Sequence, residues 1–200
     1  MRSWVVAFIG IAIGSIIGIL LSVLQSADGQ IPTATIIDRG RSADADAQRH
    51  VRIPAAKIIG QARIIDGDTL VIDETKIRLI GIDTPENDQE CTHRDGASYR
   101  CGKIASNRLR ELVGLEHTRC EGDTLDRYGR LLATCYATTT VLNAEMIRLG
   151  WAVADRQSSS AYIALENEAR RTRRGIWDGD FLMPWDWRQA RRTAAVTNPT

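Results

Sequence analysis

Arg63-Ile64-Ile65-Asp66-Gly67-Asp68-Thr69-Leu70-Val71-Ile72-Asp73-Glu74-Thr75-Lys76-Ile77-Arg78-Leu79-Ile80-Gly81-Ile82-Asp83-Thr84-Pro85-Glu86 is the stretch around which this chain is organised. Its apolar runs, Ile64-Ile65, Leu70 to Ile72 and Ile77 to Ile82, are each bounded by turn residues. That pattern predicts three consecutive antiparallel strands, with Asp66-Gly67 and Asp73-Glu74-Thr75 as the turns. Asp68 and Asp83 then fall near the ends of neighbouring strands, Glu86 follows a proline, and Arg78 lies on the strand between them. Carboxylates and a guanidinium grouped in this way suit a divalent metal held beside a phosphate.

Outward from this stretch, the body of the domain is expected over residues 56–178. Ala97 to Val113 carries apolar residues at helical spacing, with Gly114 as terminator. Strands are expected near Glu116 to Glu121 and Leu131 to Ala137, on either side of the turn Asp126-Arg127-Tyr128-Gly129-Arg130. Helices follow from Thr140 or Asn143 to Gly150, and from about Ser160 to Arg173. Residues 179–200 read as a Trp- and Arg-containing tail packed on the domain. Five short strands and about three helices predict an α+β fold built on an OB-like five-stranded barrel.

The formal net charge of the 200 residues is +1, which excludes a polybasic mode of nucleic-acid binding but leaves room for a local basic cleft. The four cysteines, Cys91, Cys101, Cys120 and Cys135, are too widely spaced for the usual zinc patterns. Disulfides are therefore favoured over metal binding and over free thiols. Cys120 and Cys135 flank Arg127-Tyr128-Gly129 almost symmetrically, which favours Cys91–Cys101 with Cys120–Cys135 among the three connectivities. An oxidising compartment would follow.

The amino-terminal region points the same way. Trp4 to Leu24 contains no charge and follows Arg2. As a helix it would span roughly 30 Å, the thickness of a bilayer core. A cleaved signal peptide competes with this reading, but such peptides have shorter apolar regions and end at a small-residue site. The expectation is an uncleaved transmembrane anchor over residues 4–24, with residues 1–3 cytoplasmic and a flexible linker over 25–55. Gly10, Gly14 and Gly18 put small side chains on one face of that helix, where a weak homodimer can form.

Taken singly, an Asp-Gly turn, an Asp-Thr-Pro strand exit or a strand arginine has a purely structural explanation. The ordered combination is more specific. Asp66-Gly67-Asp68-Thr69, then Arg78 through Asp83-Thr84-Pro85-Glu86, then Asp126-Arg127-Tyr128-Gly129-Arg130 closely resembles the staphylococcal nuclease (thermonuclease-like) family, an OB-fold family of calcium-dependent nucleases. The likeness covers roughly Lys57 to Asp178, and the cysteine placements resemble those of exported bacterial members.

The resemblance implies that Asp68, Asp83 and the Thr84 main-chain carbonyl hold Ca2+, with Asp66 supporting them from the turn. It implies that Glu86 orients or deprotonates the attacking water and that Arg78 and Arg130 bind the scissile phosphate. Arg127 and Tyr128 are the accompanying substrate-binding candidates. The implied substrate is DNA, with RNA as a second class, cleaved to leave 3′-phosphate ends. With the anchor read over residues 4–24, the expected location is a bacterial inner membrane crossed once, with the catalytic domain in the periplasm or outside the cell. The chain departs from the family at Asp155, an acid where members usually place pocket tyrosines. That departure keeps an alternative open: a catalytically weak OB-fold module, tethered to the membrane, that binds nucleic acid or protein.

Overall fold

The computed structural model describes residues 50–197. Alternating burial and tight turns produce β1 (Val51–Gly60), β2 (Ala62–Ile64), β3 (Thr69–Ile72), β4 (Thr75–Leu79) and β5 (Ile82–Asp83). A small hairpin, β6 (Cys91–Thr92) and β7 (Ser98–Tyr99), precedes α1 (Cys101–Val113). Then come β8 (Thr118–Leu125), β9 (Leu131–Ala137), β10 (Thr140–Val141), α2 (Leu142–Arg148), β11 (Val153–Ala154), α3 (Ile163–Arg171) and α4 (Pro184–Thr197).

The hydrogen-bonded order is β1-β8-β9-β4-β3-β2, with β10 added to β9. β1 and β2 lie at opposite ends of that path yet are consecutive in the chain, broken only at Gln61. The sheet therefore curls on itself as an OB-type barrel, which leaves little free edge. Its decisive pairing is β4 with β9, parallel, placing Arg78 opposite Leu132. Ile77, Leu79, Leu131, Ala133 and Cys135 face a core that is capped by α1 and α2 through Leu109, Leu142, Met146 and Ile147.

Several expectations need adjustment. The third apolar run is not one strand: β4 stops at Leu79, and Gly81 turns the chain at φ +82°. A Cβ at Gly81 would stand 2.7 Å from the Tyr162 ring, so both conformation and space call for glycine. After this bend β5 leaves the barrel and pairs with β11, Asp83 opposite Val153. Tyr162 thus acts in packing, as its position at the start of a helix suggests.

Four α-helices, rather than about three, occur among the described residues, because α4 forms within the segment read as a tail. Similarly, β1 begins at Val51, ahead of residue 56. No helix among the described residues is long and apolar enough to cross a membrane. The expected anchor over 4–24 and its Gly10, Gly14 and Gly18 face lie outside the described residues.

The cysteines pair as Cys91–Cys101 and Cys120–Cys135. Cys120 and Cys135 are direct cross-strand partners in β8 and β9, which is why the symmetric spacing about the turn was informative.

Candidate active site

Asp68 immediately precedes β3, and its carbonyl accepts from Leu79 N–H at 2.8 Å, so the β3–β4 ladder sets it beside Arg78. Arg78 Nη1 donates to Asp68 Oδ1 at 2.6 Å and Nη2 to Asp83 Oδ1 at 2.9 Å. Both acids are nearly inaccessible, at 3% and 4% exposed. The Thr84 N–H donates to Asp68 Oδ2 at 3.3 Å, and Asp68 N–H to Asp66 Oδ1 at 3.0 Å. Burial, opposed by Arg78 but reinforced by Asp66 and Asp83, pushes the Asp68 carboxyl up to about 7.

The turn between β8 and β9 delivers the other arginine. Asp126 Oδ1 accepts from the Tyr128 and Arg130 backbone N–H groups at 2.9 and 3.0 Å. Its Oδ2 accepts from Arg130 Nε at 2.7 Å and lies 2.7 Å from Nη2. Burial alone would raise the Asp126 carboxyl, but the hydrogen bonds from Arg130 and Tyr128 outweigh it and hold it below the usual carboxylate range. Arg130 thereby keeps Nη1 free to point across the barrel rim to Thr69 Oγ1, 3.4 Å away. Thr69 is the cross-strand partner of Arg78, so the two arginines converge on one place.

The two clusters that are separate in sequence accordingly share a cavity of about 300 Å³. Asp66, Asp68, Arg78, Thr84 and Glu86 line one side, and Arg127, Tyr128 and Arg130 the other. Asp83 stands behind this wall, tied to it through Arg78. A second groove of about 330 Å³ lies across the arginines and is bordered by Tyr128, Leu132, Asp155 and Ser158. Asp155 does not stand bare in it, since Oδ2 accepts from Ser158 Oγ at 2.7 Å and Oδ1 from Gln157 N–H at 3.1 Å.

Among the described residues, no group of three or more His, Cys, Asp or Glu side chains is assembled to hold a metal. Arg78 lies between Asp68 and Asp83, and a third arginine, Arg188 of α4, bridges Asp83 and Glu86. The donor set itself, carboxylate oxygens on buried and mutually repelling acids, fits a hard divalent ion well.

Three important residues have little or no assignment from sequence. Asp126 has a local signal, an acid four residues before the arginine it grips. Gln89, fully buried, accepts from Glu86 N–H at 3.2 Å and donates to the Leu182 carbonyl at 2.7 Å, and nothing in its neighbours announces this. Arg188 lies in the stretch read from sequence only as a Trp- and Arg-containing tail, where nothing singles it out. His93, by contrast, stacks on Tyr99 with ring centroids 3.9 Å apart, away from this centre.

A closed barrel that gathers buried acids, a further carboxylate and convergent arginines on one rim defines a hydrolase of phosphate esters. Comparison with known proteins makes that class specific. The family model described as "Staphylococcal nuclease homologue" matches residues 76–179. The chain is 39% identical to the succinoglycan biosynthesis protein ExoI of Rhizobium meliloti (strain 1021), over 62% of this chain and 66% of that protein. It is 34% identical to an uncharacterized endonuclease of Escherichia coli O157:H7, over 63% of this chain and 81% of the relative. A micrococcal nuclease of Shigella flexneri is 33% identical over 72% of this chain and 88% of its own length. This chain belongs to the staphylococcal nuclease family and is a hydrolase of the nuclease class.

Proposed function

We propose that this protein is a calcium-dependent nuclease that hydrolyses phosphodiester bonds of DNA, and of RNA as a second substrate, leaving 3′-phosphate ends. The observation that carries this reading is the convergence of Arg78, Arg130 and Glu86 on one cavity beside Asp68. Bound by Asp68, Asp83 and the Thr84 carbonyl, a calcium ion would neutralise phosphate charge and help order the attacking water.

The chain's own groups supply the remaining chemistry. Arg78 and Arg130 each offer a planar fork of N–H donors to the non-bridging phosphate oxygens, where negative charge grows during displacement. Asp126 holds Arg130 in that posture. Glu86 accepts the proton of the attacking water as its oxygen bonds to phosphorus. The bond from phosphorus to the 5′ oxygen breaks, and the departing 5′ alcohol takes a proton from solvent. Asp66 supports the Asp68 turn, and Arg127 with Tyr128 forms the rim against which the nucleotide lies.

The compartment belongs to the same proposal. Two disulfides favour an oxidising environment, and Trp4 to Leu24 has the length and composition of a single inner-membrane anchor. The catalytic domain would then work in the periplasm or outside the cell, with Gly10, Gly14 and Gly18 offering the anchor a face for self-association.

The deciding experiment is digestion of denatured DNA by the full-length chain with calcium, with a chelator, and with Glu86→Ala combined with Arg130→Ala. Digestion that needs calcium and vanishes in the double variant supports the proposal. Binding without turnover, insensitive to calcium, would make the chain a binding module instead.

A further inference from the structure

α4 does more than cover the barrel. Its root is fixed by Gln89 on the Leu182 carbonyl and by Phe181 and Met183, which pack in an apolar cluster with Val153 and Ile176. Its first turns then cross the acid side of the catalytic cavity, where Arg188 and Arg192, one helical turn apart, both line the wall.

Arg188 makes a two-pronged pair with Asp83. Its Nη1 donates to Oδ1 at 3.0 Å and its Nη2 to Oδ2 at 2.7 Å. Nη1 also donates to Glu86 Oε1 at 2.8 Å. Asp83 Oδ1 already accepts from Arg78, so both oxygens of this buried acid are committed to guanidinium groups. A fork-to-fork pair of this kind is among the stronger charge-assisted contacts available to a protein. Nothing in the barrel requires it, because α4 is anchored elsewhere, and Arg188 lies beyond the segment matched by the family model.

The oxygens that Arg188 engages are those on which the proposed reaction depends: Asp83 for the cation and Glu86 for the proton of the attacking water. We propose that α4 is a built-in latch, in which the Arg188 guanidinium competes with a divalent cation for Asp83 and holds Glu86, and must leave both acids before the centre turns over. This inference rests on the metal-dependent reading given above. Once released, Arg188 remains at the cavity wall beside Arg192, where a nucleic-acid phosphate supplies the partner it has lost. Cation and polyanionic substrate thus open the latch together, while either alone opens it less well.

The test is calorimetric titration of calcium alone into the full-length wild type, Arg188→Gln, Arg188→Lys and Arg192→Gln, with no substrate present. A latch open in about one molecule in ten lowers apparent affinity about tenfold. Arg188→Gln should therefore bind calcium about tenfold more tightly, and a misfolded variant would not mimic that gain. Arg188→Lys, a cation without the fork, should fall between. Arg192→Gln removes the same formal charge from the same cavity and should leave the affinity close to wild type. Unchanged or weaker binding in Arg188→Gln, beside measurable binding in the wild type, overturns the latch alone. An equal gain in Arg192→Gln also overturns it, because net charge would then be the cause. Calcium binding by none of the four proteins overturns the metal-dependent reading and the latch with it.

Discussion

Gly102 of α1 is packed against the backbone carbonyl of Glu86 so closely that a Cβ at position 102 would stand 1.6 Å from that oxygen. No side chain fits there. The first turn of α1 thus positions the loop that carries the candidate proton acceptor, and the Cys91–Cys101 disulfide ends one residue before it.

Gly102→Ala is accordingly expected to push the Glu86 loop off its seat. Overpacking of this kind costs about 1–3 kcal/mol of stability. A shift of about 1 Å in a catalytic group can cost about 100-fold in rate. Denaturant unfolding and turnover should both report the change, and wild-type turnover in Gly102→Ala would show that the loop tolerates displacement.

Gln89 joins that loop to α4 through one amide. Gln89→Leu keeps the volume but leaves the Glu86 N–H and the Leu182 carbonyl unsatisfied, at a cost of about 1–3 kcal/mol. Hydrogen exchange should show faster exchange across Pro184–Thr197, and undiminished protection there would mean that the apolar root holds α4 without the amide.

Asp126 grips the Arg130 guanidinium through Nε and Nη2. Arg130→Ala should lower the cleavage rate by roughly 10²–10³, the range for losing a transition-state donor. Asp126→Ala should lose a large part of the same factor by freeing Arg130 from its posture. The double variant should be little slower than Arg130→Ala alone, because the two residues form one unit. Fully additive losses in the cycle would separate their roles.

The Asp68 carboxyl, raised by burial to about 7, makes stability depend on pH in a definite direction. Between 3.8, the ordinary value for an aspartate, and about 7 the folded chain keeps a proton that the unfolded chain releases. Stability in chelator should therefore fall as pH rises through that window. Asp68→Asn should lack this contribution, so thermal melts of the two proteins at pH 5 and pH 8 isolate it as a difference in slope. Calcium should restore the wild type at pH 8, where the ionised acid gains a partner. Parallel pH profiles for the two proteins would refute this source of strain.

Much of the centre was legible because its parts are local. The Asp66-Gly67 and Asp73-Glu74-Thr75 turns force antiparallel strands, and that register alone sets Thr69 against Arg78 and Asp68 beside it. The Asp126 to Arg130 turn is likewise a short segment whose hydrogen bonds close on themselves. The break at Ile80-Gly81 was harder to see, since an apolar run through a glycine reads as one strand until Tyr162 is packed over it.

By itself, then, the amino-acid order determined the hairpin strands β2 to β4, the pair β8 and β9 and the cysteine pairing across them, and it carried the ordered acid and arginine motifs that resemble the nuclease family. Each of these depends on alternation, turn chemistry or spacing within a few residues. Only the tertiary structure decided that β4 runs parallel beside β9, so that two distant clusters share one rim, and that Arg188 closes on Asp83 across 105 positions of chain. Those relationships arise from barrel closure and from the docking of α4's root, and packing between remote segments leaves no periodic trace in the sequence of either one.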